Sequence, residues 1–137
     1  MSTTSATIDI VKKIYDNPGD PSVFREVLAP DASWTIVHGF PYSGTYIGSE
    51  SLLNDFFAYL LGNVLDEIIP FPEVYFEINE YVIVTGFYKG RAKTTGLTFT
   101  ASFTHIYKLE KEKIVTFQQC ADTVQIARAL KTLEIIV

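Results

Sequence analysis

His105 and Asp122 are the two residues whose types and positions best suit acid–base chemistry. From Phe99 to Leu109 the odd positions are apolar except for His105, and the even positions are mostly Thr and Ser. This alternation is typical of a strand with one buried face, so it predicts an imidazole on the apolar side of a sheet. Such an imidazole could transfer a proton near neutral pH or donate a hydrogen bond to an oxyanion. Alternatively, it is a core histidine bonded to Tyr15, a backbone carbonyl or a strand neighbour.

Asp122 has two interpretations. It could be a general base whose pKa is raised by an apolar pocket. The run DTVQ from Asp122 to Gln125 also has the form of a capping box, in which Asp122 caps the last helix and Gln125 reaches back. With Phe117 facing inward, strand phase turns Gln119 into the pocket and Asp122 away from it, unless a bulge intervenes. The sequence leaves both roles open.

Further candidates come from the residues expected around a pocket. Tyr15 could donate its hydroxyl to a substrate oxygen, or it could be a core tyrosine with a satisfied hydroxyl. His38 is expected either at the pocket mouth or in a solvated loop. The other candidates for substrate binding lie on faces predicted to point inward, where they would serve as core, ligand wall or both. They are Trp34, Ile36, Phe56, Phe57, Leu60, Phe87, Phe103, Phe117 and Gln119.

The first half of the chain has helical spacing with one strand. Apolar residues predict a helix over 7–16 and a short one from Pro21, with Asp20 as its N-cap. A strand is predicted over 32–38, with Trp34, Ile36 and His38 on one face. Ser49 caps a third helix that ends near 62–63 and presents a broad apolar face. The segment PFP at 70–72 closes this helical half.

The second half predicts a sheet. Strands are expected over 74–78, 81–91, 99–109 and 114–121, and their short connections make them successive antiparallel neighbours. A last helix runs from Thr123 to about Leu133 with Val124, Ala127 and Leu130 on one face. Helices followed by a bent antiparallel sheet predict an α+β domain, and the aromatic excess favours an internal pocket.

Composition limits the function classes. A chain of 137 residues that is 47% hydrophobic and 14% aromatic fits one folded domain. The net charge of -5 gives no support to a nucleic-acid partner. One cysteine, Cys120, excludes an internal disulfide, and two histidines without metal-ligand spacing favour neither a metal site nor a cofactor. Without a secretion signal or an apolar run of about 18 residues, we expect a cytoplasmic protein with no membrane segment.

This order of elements resembles the nuclear transport factor 2-like superfamily, and within it the SnoaL-like and ketosteroid isomerase-related branch. The resemblance covers nearly the whole chain, and it implies a cone-shaped fold and a single SnoaL-like domain over 1–137. The matching segments are YDNPGD from Tyr15, LAPDASW from Leu28, GTYIG from Gly44, FTHIY from Phe103 and KIVTFQQCADT from Lys113.

The resemblance assigns family roles to particular positions. The general-base Asp of the isomerases corresponds to Ile36, their oxyanion Tyr falls near Lys12, and their oxyanion carboxylic acid corresponds to His105. Two of these positions depart from the isomerase pattern, so steroid isomerisation by that constellation is not supported. The polyketide cyclases are similar in pairing an acid–base Asp with a His, which implies Asp122 and His105.

We therefore predict a cofactor-free isomerase, cyclase or dehydratase that acts on a small apolar carbonyl or hydroxyl compound through His105, Asp122 and Tyr15. The alternative is a non-catalytic module of the same fold that binds a hydrophobic ligand, and the missing isomerase base supports it. Thr, Tyr and Ile mixed with charge on the outer sheet face predict a homodimer packed through the sheet.

Overall fold

Within residues 5–131, three helices and two strands precede a four-strand meander and a further helix. The computed structural model describes residues 5–131. The helices are α1 (Ala6–Asp16), α2 (Pro21–Val27), α3 over residues 49–64, and α4 (Thr123–Leu130). The strands are β1 (Leu28–Ile36), β2 (Gly44–Ile47), β3 (Leu65–Ile78), β4 (Tyr81–Ala92), β5 (Thr98–Glu110) and β6 (Lys113–Ala121). The predicted α+β class, with helices first and an antiparallel sheet after them, is confirmed.

Side-chain caps fix where the first two helices begin. The Ser5 hydroxyl accepts a hydrogen bond from the backbone N–H of Ile8 at 3.0 Å. At α2 the Asp20 carboxylate accepts from the N–H of Ser22 at 2.9 Å, and Pro21 follows as the first helical residue. Both arrangements satisfy N–H groups that a helix start otherwise leaves unpaired. The predicted N-cap of α2 is confirmed.

Helix α3 changes from α-helical to π-helical geometry. It starts after Gly48 rather than with a side-chain cap at Ser49, and the buried Phe56 and Leu60 face the sheet. Leu61, which follows Leu60, is 41% exposed. Wider π turns are rare and often occur at functional sites. The helix consists of Ser49–Ser51 followed by the π-helical stretches Leu52–Phe57 and Leu60–Val64.

The six strands form one sheet in the order β2-β1-β6-β5-β4-β3. Strands β3 to β6 are successive antiparallel neighbours, as predicted. Strand β1 pairs parallel with β6, because the chain passes through helices and the whole meander between them. The short β2 pairs antiparallel with β1 and forms one edge.

Strand β3 is longer than expected. It covers 14 residues, whereas only 74–78 was predicted, since Pro70 and Pro72 suggested a break. Both prolines lie within the strand, opposite Tyr88 and Gly86 of β4. Proline is tolerated there because β3 is an edge strand, where a missing N–H need not break a ladder on both sides.

Side chains alternate between an inner, buried face of the sheet and an outer face. In β4 the buried residues Val82, Val84 and Tyr88 point inward. Phe87 points to the outer face, where its ring stacks on Phe71 with centroids 5.3 Å apart. The prediction that Phe87 faces the pocket is therefore wrong, because its neighbour Tyr88 has the inward phase.

Helix α4 presents a different face from the one predicted. Its buried residues are Ile126 and Ala129, whereas Val124 is 41% exposed. The predicted end near Leu133 lies outside the described residues. Within residues 5–131 no helix is both long and apolar enough to span a bilayer.

Candidate active site

The inner face of the sheet and α3 enclose a cavity of about 340 Å³. Its lining includes residues from α1, β1, α3, β4, β5 and β6, so most elements of the fold contribute a wall. The predicted site residues that line it are Tyr15, Trp34, Ile36, Phe56, Phe57, Leu60, His105, Phe117 and Gln119.

Four predicted site residues lie elsewhere. Phe87 faces outward, as described above. His38 is exposed beyond the end of β1, which stops at Ile36, and it borders a separate surface depression. Phe103 is buried beneath His105 rather than at the cavity surface. Asp122 is half-buried outside the cavity.

Asp122 lies at the predicted start of the last helix but forms neither a capping bond nor part of the cavity wall. It occupies the N-cap position of α4, but its side chain makes no capping hydrogen bond. Its backbone N–H donates to the carbonyl of Ser102 at 2.9 Å, which ties the end of β6 to β5. The capping-box interpretation and the pairing of Asp122 with His105 in the pocket are both wrong for this structure.

Two tyrosines that the sequence reading missed line the cavity beside His105. Tyr88 and Tyr107 are 7% and 1% exposed. Tyr107 lies two residues after His105 on β5 and so shares its face. Tyr88 has the same inward phase as Val82 and Val84 in β4. The alternation is hard to see in the sequence because glycines occupy the inward positions 86 and 90.

Hydrogen bonds join these side chains into a single chain, which we call the Tyr–His network: Tyr107, Tyr15, His105, Tyr88 and Gln119. The Tyr15 hydroxyl lies 2.6 Å from Nδ1 of His105 and 2.9 Å from the Tyr107 hydroxyl. The Tyr88 hydroxyl lies 2.5 Å from Nε2 of His105. Both imidazole nitrogens are therefore bonded to tyrosine hydroxyls.

Gln119 closes the network from β6. Its side-chain Nε2 donates to the Tyr88 hydroxyl at 2.9 Å. Its Oε1 accepts from the backbone N–H of Val37 at 3.4 Å, which orients the amide with its NH₂ group toward Tyr88. Tyr88 thus receives a hydrogen bond from one fixed donor.

Burial keeps His105 neutral. It lowers the pKa of His105 to about 3, because the desolvated imidazolium loses its hydration. The expectation that His105 titrates near neutral pH is therefore wrong. Burial likewise raises the pKa of Tyr15, Tyr88 and Tyr107, so these phenols keep their protons.

Aromatic rings form an apolar wall beside the network. The Trp34 ring stacks on Phe117 with centroids 3.7 Å apart, and Phe24 meets Trp34 edge-on. Phe117 in turn meets the His105 ring at 5.0 Å in a T-shaped contact. These contacts hold a mostly apolar surface against one polar cluster.

Charged groups are sparse at the cavity. Glu67 is the one charged residue that lines it within residues 5–131, and it is exposed. In the same part of the chain no three His, Cys, Asp or Glu side chains come together in a metal-binding group. The chemistry available from the described side chains is hydrogen bonding and proton transfer.

No protein-family model matches the chain, and no curated protein matches it. Several solved structures are similar to the chain. An NTF2-like protein from Burkholderia thailandensis E264 is 29% identical, with 92% of this chain and 98% of that one covered and a TM-score of 0.83. TerC, co-crystallised with polyporic acid, is 22% identical, with 93% and 99% covered and a TM-score of 0.84. A Jannaschia sp. CCS1 protein assigned to the SnoaL-like polyketide cyclases is 15% identical, with 98% and 100% covered and a TM-score of 0.79.

Proposed function

We propose that this chain, which has the nuclear transport factor 2-like fold that its sequence predicted, binds a small, largely apolar molecule in its cavity. The observation that carries the proposal is the cavity itself: about 340 Å³, walled by aromatic and aliphatic side chains, with one polar cluster. Ligand sites are typically of this size and kind, with a few polar groups that fix orientation.

The polar cluster suits a ligand that carries oxygen. Tyr88 and Tyr107 bring hydroxyl groups to a surface that is otherwise apolar, so a purely hydrocarbon ligand would leave unused the hydrogen-bonding capacity that their bonds to His105, Gln119 and Tyr15 do not take up. The co-crystallisation of TerC with polyporic acid supports a small organic molecule as the ligand class.

The test is a binding titration followed by the indole N–H signal of Trp34, the single tryptophan, in ¹H–¹⁵N NMR spectra. Naphthalene-sized aromatic ketones are the probes. Ile36→Phe should weaken binding by about 10-fold or more, since the phenyl ring is larger than the buried isoleucine side chain and would occupy part of the cavity. The matched control, Ile83→Phe, lies on the outer face of β4 and should leave the affinity unchanged. Equal affinities for all three proteins would overturn the proposal.

A second candidate function is cofactor-free acid–base catalysis: isomerisation, cyclisation or dehydration of a carbonyl or hydroxyl compound. The continuous Tyr–His network favours it, because neutral His105 joined to Tyr15 and Tyr88 can pass a proton along hydrogen bonds. Asp122 has no part in this version. Turnover of a panel of hydroxy-ketones by wild type and by His105→Ala tests it, and equal turnover would remove His105 from the mechanism.

The non-catalytic alternative is favoured by a different observation. Both ring nitrogens of His105 are occupied by protein groups, and the position expected for a carboxylate base is the apolar Ile36. A ligand that binds without being changed by wild-type protein would support this binding module.

We further propose a homodimer that packs through the outer face of the sheet. Apolar residues on the outer face of β3 are well exposed: Phe71 41%, Phe76 48% and Ile78 55%. Exposed apolar patches on a sheet face mark interaction surfaces. A cytoplasmic location and a single domain over 1–137 remain predictions alongside it.

A further inference from the structure

The Tyr–His network holds one more hydrogen than its internal bonds use. Four bonds connect its five members in a line. Each of the three tyrosines supplies one hydroxyl hydrogen, the neutral imidazole supplies one N–H, and Gln119 turns one amide hydrogen toward Tyr88. The five hydrogens exceed the four bonds, so one hydroxyl hydrogen has no acceptor inside the network.

The position of this spare hydrogen depends on the imidazole tautomer. With the proton on Nδ1, His105 donates to Tyr15, Tyr15 donates to Tyr107, and the spare hydrogen is on Tyr107. With the proton on Nε2, His105 and Gln119 both donate to the Tyr88 oxygen, so the spare hydrogen is on Tyr88. Both hydroxyls belong to cavity-lining residues, and within residues 5–131 neither has a further acceptor.

We propose that the Tyr–His network is a proton relay with its two ends, Tyr88 and Tyr107, in the cavity, and that it selects an enolisable carbonyl compound as ligand. This inference rests on the proposed binding function of the cavity. One end donates the spare hydrogen to the carbonyl oxygen, while the other accepts a proton from the carbon beside the carbonyl.

The proton count balances. Starting with the proton on Nε2, the ligand's C–H proton moves to the Tyr107 oxygen, the Tyr107 hydrogen to Tyr15, and the Tyr15 hydrogen to Nδ1. The Nε2 hydrogen then moves to Tyr88, and the Tyr88 hydrogen moves to the ligand oxygen. The C–H electron pair becomes the C=C bond of the enol, while the carbonyl π pair becomes the new O–H bond. Water in the emptied cavity resets the tautomer by the reverse path.

The high pKa values that burial gives the phenols favour this concerted route over ionisation of one tyrosine. A phenolate buried in an apolar cavity has a high free-energy cost. In the concerted relay no protein group becomes fully charged. The aromatic wall of Trp34 and Phe117 is suited to a planar ligand next to the relay.

A matched pair of probes tests the ligand class. In the NMR titration 2-acetylnaphthalene should bind about 10-fold more tightly than 2-ethylnaphthalene, because only the ketone accepts the spare hydrogen. Equal binding of the two probes would overturn the ligand selection but leave the cavity proposal intact. Failure of both probes to bind would instead count against the proposed function.

Deuterium exchange tests the relay. In D₂O, wild-type protein should accelerate exchange of the methyl protons of 2-acetylnaphthalene at least 10-fold over buffer. Tyr15→Phe cuts the path between Nδ1 and Tyr107; it should bind the ketone but lose the acceleration. Bound ketone without acceleration by wild type, or full acceleration by Tyr15→Phe, would overturn the relay.

A measurement that leaves the Tyr–His network unchanged covers the case in which Tyr15→Phe does not fold. The ¹⁵N shifts of His105 report its tautomer, and His38→Gln identifies which of the two histidine signals is which. Bound 2-acetylnaphthalene should shift the tautomer ratio toward one form. An unchanged ratio with ketone bound would contradict the relay.

Discussion

The imidazole of His105 lies on the ring of Phe103, with centroids 3.9 Å apart and planes 10° from parallel. The same Phe103 ring contacts Tyr88 at 4.7 Å. Phe103 therefore fixes the plane in which both His105 nitrogens reach tyrosine hydroxyls, although it does not itself line the cavity.

Replacing Phe103 should disturb that plane. We expect Phe103→Leu to lower the free energy of unfolding by about 1–3 kcal/mol, because it removes a buried stacked ring. The matched control is Phe71→Leu, in which the lost ring is 41% exposed on the outer face. It should cost clearly less in the same denaturant titration; equal costs would contradict the assigned role of Phe103.

The stability of the protein should depend on pH through His105. Its pKa of about 3 in the folded chain lies below the ordinary value of ~6.5 expected when unfolded. Between these values the unfolded chain binds a proton that the folded chain does not. The His105 contribution to the free energy of unfolding is therefore complete above pH ~6.5, and it falls by about 1.4 kcal/mol per pH unit on acidification.

Denaturant titrations from pH 7 to pH 4 measure this slope. His105→Gln should be less stable at pH 7 but lose stability less steeply than wild type. His38→Gln, which removes an exposed histidine, should keep the wild-type slope. A parallel slope in His105→Gln would show that the buried imidazole is not the source.

Gly86 should not tolerate a side chain. A Cβ atom there would lie 2.2 Å from the carbonyl oxygen of Phe71 and 2.9 Å from Cα of Pro72, both of them backbone atoms. We expect Gly86→Ala to destabilise the protein by about 2–3 kcal/mol, because β3 must move away from β4. At Gly62 in α3 nothing lies within 4 Å, so Gly62→Ala should be neutral or stabilising by up to ~1 kcal/mol in thermal melts.

The proposed dimer predicts a change in molecular mass. Light scattering at micromolar concentration should give a dimer for wild type and a monomer for Phe76→Asp, which places a charge on the outer face. Tyr59 is the control: it is 50% exposed, compared with 48% for Phe76, but it lies on α3. Tyr59→Asp should remain a dimer. A monomeric wild type would contradict the proposed interface.

The helices, the four-strand meander and the inward position of His105 could be predicted because each depends on local periodicity. Strand β3 could not, since two prolines argue for a break and only its edge position makes them acceptable. Tyr88 was missed in favour of Phe87 because two glycines interrupt the apolar alternation of β4.

The protonation and hydrogen bonding of the site residues depend on contacts between distant parts of the chain, which local sequence patterns do not reveal. Burial keeps His105 neutral, and its hydrogen-bond partners Tyr15 and Tyr88 lie 90 and 17 residues away in the chain. Asp122 has a sequence typical of a cap, yet its side chain makes no capping bond. Cys120 is exposed, because the alternation of β6 turns that position outward.

The prolines of β3 also affect how copies of this chain can meet in an unwanted way. An edge strand with all its N–H and C=O groups intact is a template on which a strand of another molecule can add, and repeated addition leads to aggregates. Pro70 and Pro72 remove two donors from the middle of this 14-residue edge. The edge strand beside the exposed apolar face is thus a poor starting point for cross-β assembly.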